Sequence, residues 1–167
     1  MLLRTQSILP IIKIDINIYN ICNGLYVSSG KAACNLENLQ SNGITHIVNA
    51  APQVEYCHFQ DSINYHTVPI LDSSNENIDK YFKTINKFIK QAISNGGSVL
   101  VHCHEGISRA PTICAGYLIE HNSLKNDTAL QLIKRTKPNI NPNEGFKRQL
   151  KLFSDSKFVN SINSLTL

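Results

Sequence analysis

"SVLVHCHEGISRAPTI", Ser98 to Ile113, decides how this chain is to be read. Its first half, Val99-Leu100-Val101, is a short apolar run of the kind that forms a strand buried on both faces. Its second half, from Ala110-Pro111-Thr112, opens an apolar helical pattern that runs to His121. Between them lies a tight turn, His102-Cys103-His104-Glu105-Gly106-Ile107-Ser108-Arg109. A strand ending there brings Cys103 to the carboxyl edge of a sheet, where α/β proteins bind their ligands. Gly106 allows a backbone conformation that other residues resist, and Pro111 suits a first helical turn, where its missing N–H costs little. Backbone amides in such a turn form a nest for an anion, and the helix N-terminus behind it adds a partial positive charge.

These surroundings also bear on the thiol. Near a cation and a helix N-terminus a cysteine's pKa falls to roughly 3.5–7.5, so that thiolate prevails at neutral pH. Arg109 can grip two oxygens of a tetrahedral dianion in a fork that lysine lacks. The local pattern therefore predicts a nucleophile at the base of a phosphate cradle.

Outward from this stretch, strands and helices alternate. "NGLYVSS" reads as a strand entered through Asn23-Gly24, "ITHIVNA" and "YHTVPI" as two more, and "SVLVH" as the buried one. "AACNLENLQSNG" reads as a short helix stopped at Gly43. Ile78, Phe82, Ile85, Phe88, Ile89, Ala92 and Ile93 recur at helical spacing up to Asn95-Gly96-Gly97. Helices are further expected over Thr112–His121, over Thr128–Thr136 before Pro138, and after an Asn141-Pro142 start through Phe146, Leu150 and Phe153. The expected fold class is α/β: a single domain with a central, mainly parallel β-sheet flanked by helices on both faces. Residues 1–20 read as an N-terminal arm, 21–155 as the domain, and 156–167 as a polar, frayed tail.

Composition agrees. The chain has 167 residues, 42% hydrophobic and 17% charged, a globular balance rather than a disordered one. The net charge of +4 suits anionic partners, though solvated helix faces explain it equally well. The five cysteines are irregularly spaced and suggest neither a disulfide framework nor a zinc ribbon. The isoleucine-rich segment Ile8–Ile18 is broken by Lys13 and Asp15, which argues against a secretory signal, and no run has the length of a membrane span. A reducing, cytoplasmic setting is expected, with nuclear access open.

"HCHEGISR" fits His-Cys-any five-Arg, and on it the chain resembles the cysteine-dependent protein tyrosine phosphatases. The Ser108-Arg109 ending and "APTI" resemble their small dual-specificity members. "NGLYVSS", "GITHIVNAAP" and "PNEGFKRQL" are similar to that family's first strand, a strand and loop before the acid, and the closing helix. The resemblance spans about Ile21 to Phe153 and implies a protein tyrosine phosphatase-like fold. It implies Cys103 as nucleophile through a phosphocysteine and Arg109 as the phosphate and transition-state ligand. Ser108 would donate a hydrogen bond to the departing thiolate, and His102 would tune the thiolate without acting as a base. His104, Glu105, Gly106, Ile107, Ser108 and Arg109 would supply the cradle. "VPILDSSNENI" puts Asp72 where the family keeps its general acid, with Asp79 as the alternative carboxylate. Asn143 would support the cradle from the closing helix. No metal and no other cofactor is implied.

The implied substrates are phosphorylated proteins, kinases among them, at phosphotyrosine and phosphoserine or phosphothreonine. No nucleic-acid or membrane partner is expected, and the oligomeric state stays open. Two alternatives remain: a phosphoprotein-binding module with little turnover, and a phosphatase for a non-protein ester such as an RNA 5′ end or a phosphoinositide. Glu105 inside the loop disfavours a polyanionic headgroup. Plainer readings cover the rest. His102 and His104 flank Cys103 on opposite sides of an extended chain and so do not make a zinc site. Cys114 reads as core, His121 as a partner for a helix C-terminus, and Lys134, Arg135 and Lys137 as a solvated face. A disulfide from Cys34 or Cys57 to oxidised Cys103 is left open.

Overall fold

The structure is a computed structural model that describes residues 15–53 and 57–165, with side chains through residue 159. Five strands form one sheet: β1 (Ile18–Cys22), β2 (Leu25–Ser29), β3 (His46–Asn49), β4 (Asn64–Thr67) and β5 (Val99–Cys103), in the order β1-β2-β5-β3-β4. Only the β1–β2 pair is antiparallel; β2–β5, β5–β3 and β3–β4 are parallel. The β1–β2 hairpin turns at Asn23-Gly24, where Gly24 takes φ +76°, a value costly for any residue with a Cβ. The isoleucine-rich arm expected before the domain is described only from Asp15 onward, and β1 begins within it at Ile18.

β5 lies at the centre of the sheet, and all five of its residues are buried. Its alternation assigns them to two layers. Val99, Val101 and Cys103 join a large core with helices α2 (Asp79–Ser94), α3 (Arg109–Asn122), α4 (Asn126–Thr136) and α5 (Glu144–Leu165). Leu100 joins a smaller core on the opposite face with Leu39 of helix α1 (Leu36–Ser41), Ala33 of the preceding 3-10 turn, Ile44, Ile47 and Ile63. The expected two-faced α/β sheet is therefore present, with four helices on one side and one short helix on the other. α2 is amphipathic as its spacing predicts, burying Phe82, Ile85, Ile89 and Ala92. α3 is buried nearly all round, from Arg109 to Ile119, and runs beneath the sheet as a core helix.

Two expectations need correction. The frayed tail after Asp155 is instead the continuation of α5 to Leu165. Lys137, read with Lys134 and Arg135 as part of a solvated face, has no exposed side-chain surface. It ends α4 in the interior, where its Nζ meets Asp15 Oδ2 at 2.5 Å and stands over the Tyr19 ring at 4.7 Å. Burial alone would raise the Asp15 pKa, but Lys137 with the Asn17 amide and the Tyr19 hydroxyl holds it below the ordinary value. Lys134 and Arg135 are exposed as expected.

Candidate active site

The two parallel pairings of β5 build the site. Ser29 of β2 lies level with Cys103, and Asn49 of β3 level with His102. The chain orders β2 and β3 on either side of β5, so Cys103 leaves the sheet at the crevice between them, where such folds bind ligands. Cys103 is 1% exposed and belongs to the large core. His102 faces the other way. Burial pushes its pKa down to about 4, so the ring is neutral at pH 7 and supplies no positive charge there.

Past Cys103 the turn is held from outside. The Gly30 amide donates to the His104 carbonyl at 3.1 Å, and the Asn141 amide donates to the Ile107 carbonyl at 2.8 Å. Gly106 has φ +69°, and a Cβ there would stand 2.5 Å from the Ser28 carbonyl oxygen. Only glycine fits both conditions, which explains its place in the motif. Among the described residues no acceptor takes the amide protons of Glu105, Gly106, Ile107 or Ser108. Four consecutive unspent donors at the N-terminus of a 14-residue helix make an anion site. The side chains of His104 and Glu105 point outward and meet each other, Nε2 to Oε1, at 3.1 Å. They contribute backbone to the cradle and a polar rim outside it.

Arg109 is buried and aimed. Its Nη1 donates to the carbonyls of Ile70 at 3.1 Å and Ala50 at 3.3 Å. Among the described residues its Nε has no hydrogen-bond partner, and it lies 3.7 Å from Asp72 Oδ2, within ion-pair distance. One end of the guanidinium is thus anchored to backbone, and the Nε edge remains for an oxyanion.

Asp72 lies beside this edge on the connection between β4 and α2, as its motif position predicts. Asp79, the alternative, opens α2 instead, with its amide bonded to Gln149 Oε1 at 3.1 Å. Asp72 is 39% exposed, so a leaving group can reach it. Its Oδ1 accepts from Ser108 Oγ at 2.7 Å and from Asn143 Nδ2 at 2.9 Å. The bond expected from Ser108 is to the departing thiolate of the second step; in this structure the hydroxyl is on the carboxylate. A serine hydroxyl has one proton, and here it goes to the carboxylate, while the oxygen accepts from the Asn143 amide at 3.2 Å. Asn143 serves both the start of α5 and the Asp72 carboxylate. Its Oδ1 caps α5 by accepting from Phe146 N at 3.0 Å, which leaves its amide nitrogen for Asp72.

The start of α5 clamps the rest of the Asp72 loop as well. Gln149 Nε2 donates to the Glu76 carbonyl at 2.8 Å. A Cβ at Gly145 would overlap the Ser74 carbonyl, so loop and helix touch backbone to backbone. Sequence reading overlooked Gly145, although a glycine within the first turn of a helix is a visible oddity. The Ala50 and Ile70 carbonyls were also overlooked, and no side-chain signal could have revealed them.

A family model described as "Dual specificity phosphatase, catalytic domain" matches residues 25–156. The chain belongs to that family. A mouse relative, "Dual specificity protein phosphatase 19", is 40% identical over 147 residues, covering 88% of this chain and 66% of its own length. A mouse dual-specificity phosphatase crystallised with zinc tungstate superposes with TM-score 0.83 at 28% identity, over 96% of this chain and 97% of the other. The crystal structure of the human tyrosine phosphatase-like serine/threonine/tyrosine-interacting protein superposes with TM-score 0.80 at 31% identity, over 84% and 97%. Among the described residues, this dual-specificity phosphatase domain has no helix long and apolar enough to cross a membrane.

Proposed function

We propose that this protein hydrolyses phosphate monoesters of phosphotyrosine and of phosphoserine or phosphothreonine on proteins, kinases among them, by two displacements at Cys103. The observation that carries the reading is the convergence of a nucleophile, four amides without an acceptor among the described residues, the Nε edge of Arg109 and the tethered carboxyl of Asp72 on one crevice. The Cys103 thiolate attacks phosphorus and the ester oxygen leaves, taking a proton from the Asp72 carboxylic acid. Water then attacks the phosphocysteine, Asp72 takes its proton, and inorganic phosphate and thiolate are released. Phosphoryl transfer has a loose transition state with charge on the three equatorial oxygens, so the amides and Arg109 supply most of the stabilisation. Ser108 and Asn143 act on Asp72 as positioning residues. Every role is filled by the chain itself, without metal or other cofactor. Tungstate, the ligand of the mouse relative, is a tetrahedral oxyanion like phosphate. The proposed setting is cytoplasmic with nuclear access.

A second reading has one specific support: the human relative is described as an interacting, phosphatase-like protein. A pure binding module has no use for a tethered acid, so Asp72 favours turnover. Hydrolysis of p-nitrophenyl phosphate in EDTA, with Cys103→Ser beside the wild type, separates the two readings. Activity absent only from the variant supports the enzyme; phosphopeptide binding without turnover in both proteins supports the module. Asp72→Ala should slow turnover about 10²–10⁴-fold. Comparison of phosphotyrosine and phosphothreonine peptides with a 5′-triphosphorylated RNA and a phosphoinositide tests the substrate class.

A further inference from the structure

Cys34 and Cys57 are 23 residues apart in sequence and meet in space: the Cys57 amide donates to Cys34 Sγ at 2.9 Å. Cys34 ends the 3-10 turn after β2 and is half-buried, whereas Cys57 lies in the β3–β4 connection and is exposed. The approach is held by more than this one bond. Immediately after Cys57, His58 stacks on the Tyr65 ring at 4.7 Å, and the Phe59 amide donates to the Tyr65 hydroxyl at 3.1 Å. The pairing with β3 fixes Tyr65 in turn, level with Ile47.

We propose that Cys34 and Cys57 form an oxidisable dithiol site, separate from Cys103, which a hydroperoxide closes to a disulfide. With its amide 2.9 Å from Cys34 Sγ, the Cys57 backbone already stands beside the sulfur that its own thiol would meet. In the first step the Cys57 thiolate attacks the peroxide O–O bond, giving a sulfenic acid and an alcohol or water. In the second the Cys34 thiolate attacks the Cys57 sulfur, the S–S bond forms, the S–O bond breaks, and water leaves. Two thiols and one hydroperoxide thus give one disulfide, one water and one alcohol (or a second water). Burial raises the Cys34 pKa, and the Cys57 amide and thiol act on it in opposite directions, which fits two sulfurs in contact. A shared metal is less apt, because among the described residues no cluster of three His, Cys, Asp or Glu could hold one.

The place of the bond gives it a consequence. Four residues before Cys34, Gly30 holds the His104 carbonyl of the anion turn; seven before Cys57, Ala50 holds Arg109. The disulfide ties these two supports together and closes a loop absent from the reduced unfolded chain.

The test uses the full chain carrying Cys103→Ser, so that its readout is independent of turnover and of the proposed function. The protein is treated with stoichiometric hydrogen peroxide, alkylated and mapped without reduction. The expected product is a Cys34–Cys57 cross-linked peptide two hydrogens lighter than the sum of its parts. The melting temperature should rise by about 5–10 °C and fall back on reduction. Cys34→Ser or Cys57→Ser should lose both effects while melting near the reduced protein. Free alkylation of both thiols after peroxide overturns the proposal. So does a Cys103 bridge to either residue, in place of the Cys34–Cys57 bridge, when the wild-type protein is mapped.

Discussion

Ser108 Oγ donates to Asp72 Oδ1 at 2.7 Å, which joins the residue before Arg109 to the proposed general acid. The bond crosses from the N-terminus of α3 to the β4–α2 connection, and Nδ2 of Asn143, the residue before α5, meets the same oxygen. Three elements thus converge on one carboxylate. If Ser108 serves the acid, its removal should matter most where the leaving group needs a proton. Ser108→Ala is expected to lower kcat about tenfold on phosphothreonine peptides, the loss of one charge-assisted hydrogen bond. Hydrolysis of p-nitrophenyl phosphate, whose leaving group is already stable as an anion, should change much less. Equal losses on both would assign Ser108 to the nucleophile instead.

Gly145→Ala tests the clamp from the helix side. The added methyl overlaps the Ser74 carbonyl, and backbone cannot step aside as a side-chain tip does. The Asp72 loop must lift from α5. The expected result is a stability loss of about 1–3 kcal/mol and a fall in phosphothreonine turnover comparable to that of Ser108→Ala. Urea unfolding and the same two substrates measure both. Wild-type kinetics in the variant would mean that the loop reaches Asp72's position without this contact.

Much of the site was legible because it is local. Cys103 to Arg109 is one continuous segment, and its glycine, arginine and following proline each carry a geometric constraint that a sequence displays. Asp72 and Asn143 were placed by resemblance, 31 and 40 residues from Cys103 in a chain whose numbering sets those gaps. What they bond to was not legible: whether a hydroxyl at 108 turns to sulfur or to carboxylate depends on three segments meeting. The sheet followed from apolar runs and turn residues, since β5 is buried on both faces and reads as unbroken Val-Leu-Val. Lys137 was misread for the converse reason. A lysine between exposed Lys134 and a proline looks solvated, and its partner, Asp15, lies 122 residues away.

That ion pair should break asymmetrically. Lys137 has no exposed side-chain surface, while Asp15 keeps 22%. Asp15→Asn leaves a buried ammonium with little compensation, and a cost of about 3–5 kcal/mol is expected. Lys137→Met leaves a carboxylate that reaches water and still accepts from the Tyr19 hydroxyl and the Asn17 amide. It should cost clearly less. Denaturant unfolding of the two variants checks the order, and a reversed order would place the costlier unpaired charge on Asp15.

His102 makes stability depend on pH in a direction that follows from its burial. Its folded pKa of about 4 lies below the ordinary value of 6.5. Between these values the unfolded chain binds the proton and the folded chain does not, so stability falls as pH drops through that window. It is fully present above about pH 6.5 and lost below about pH 4, with roughly 3 kcal/mol at stake. His46, His66 and His121 are also lowered by burial and add to the same slope. His102→Gln removes one titrating group and leaves those three. The variant's melting temperature should therefore decline less steeply than the wild type's between pH 6.5 and pH 4. Parallel curves would mean that the folded protein accommodates a charged ring at position 102, and the neutral imidazole beside Cys103 would then be no fixed feature of the site.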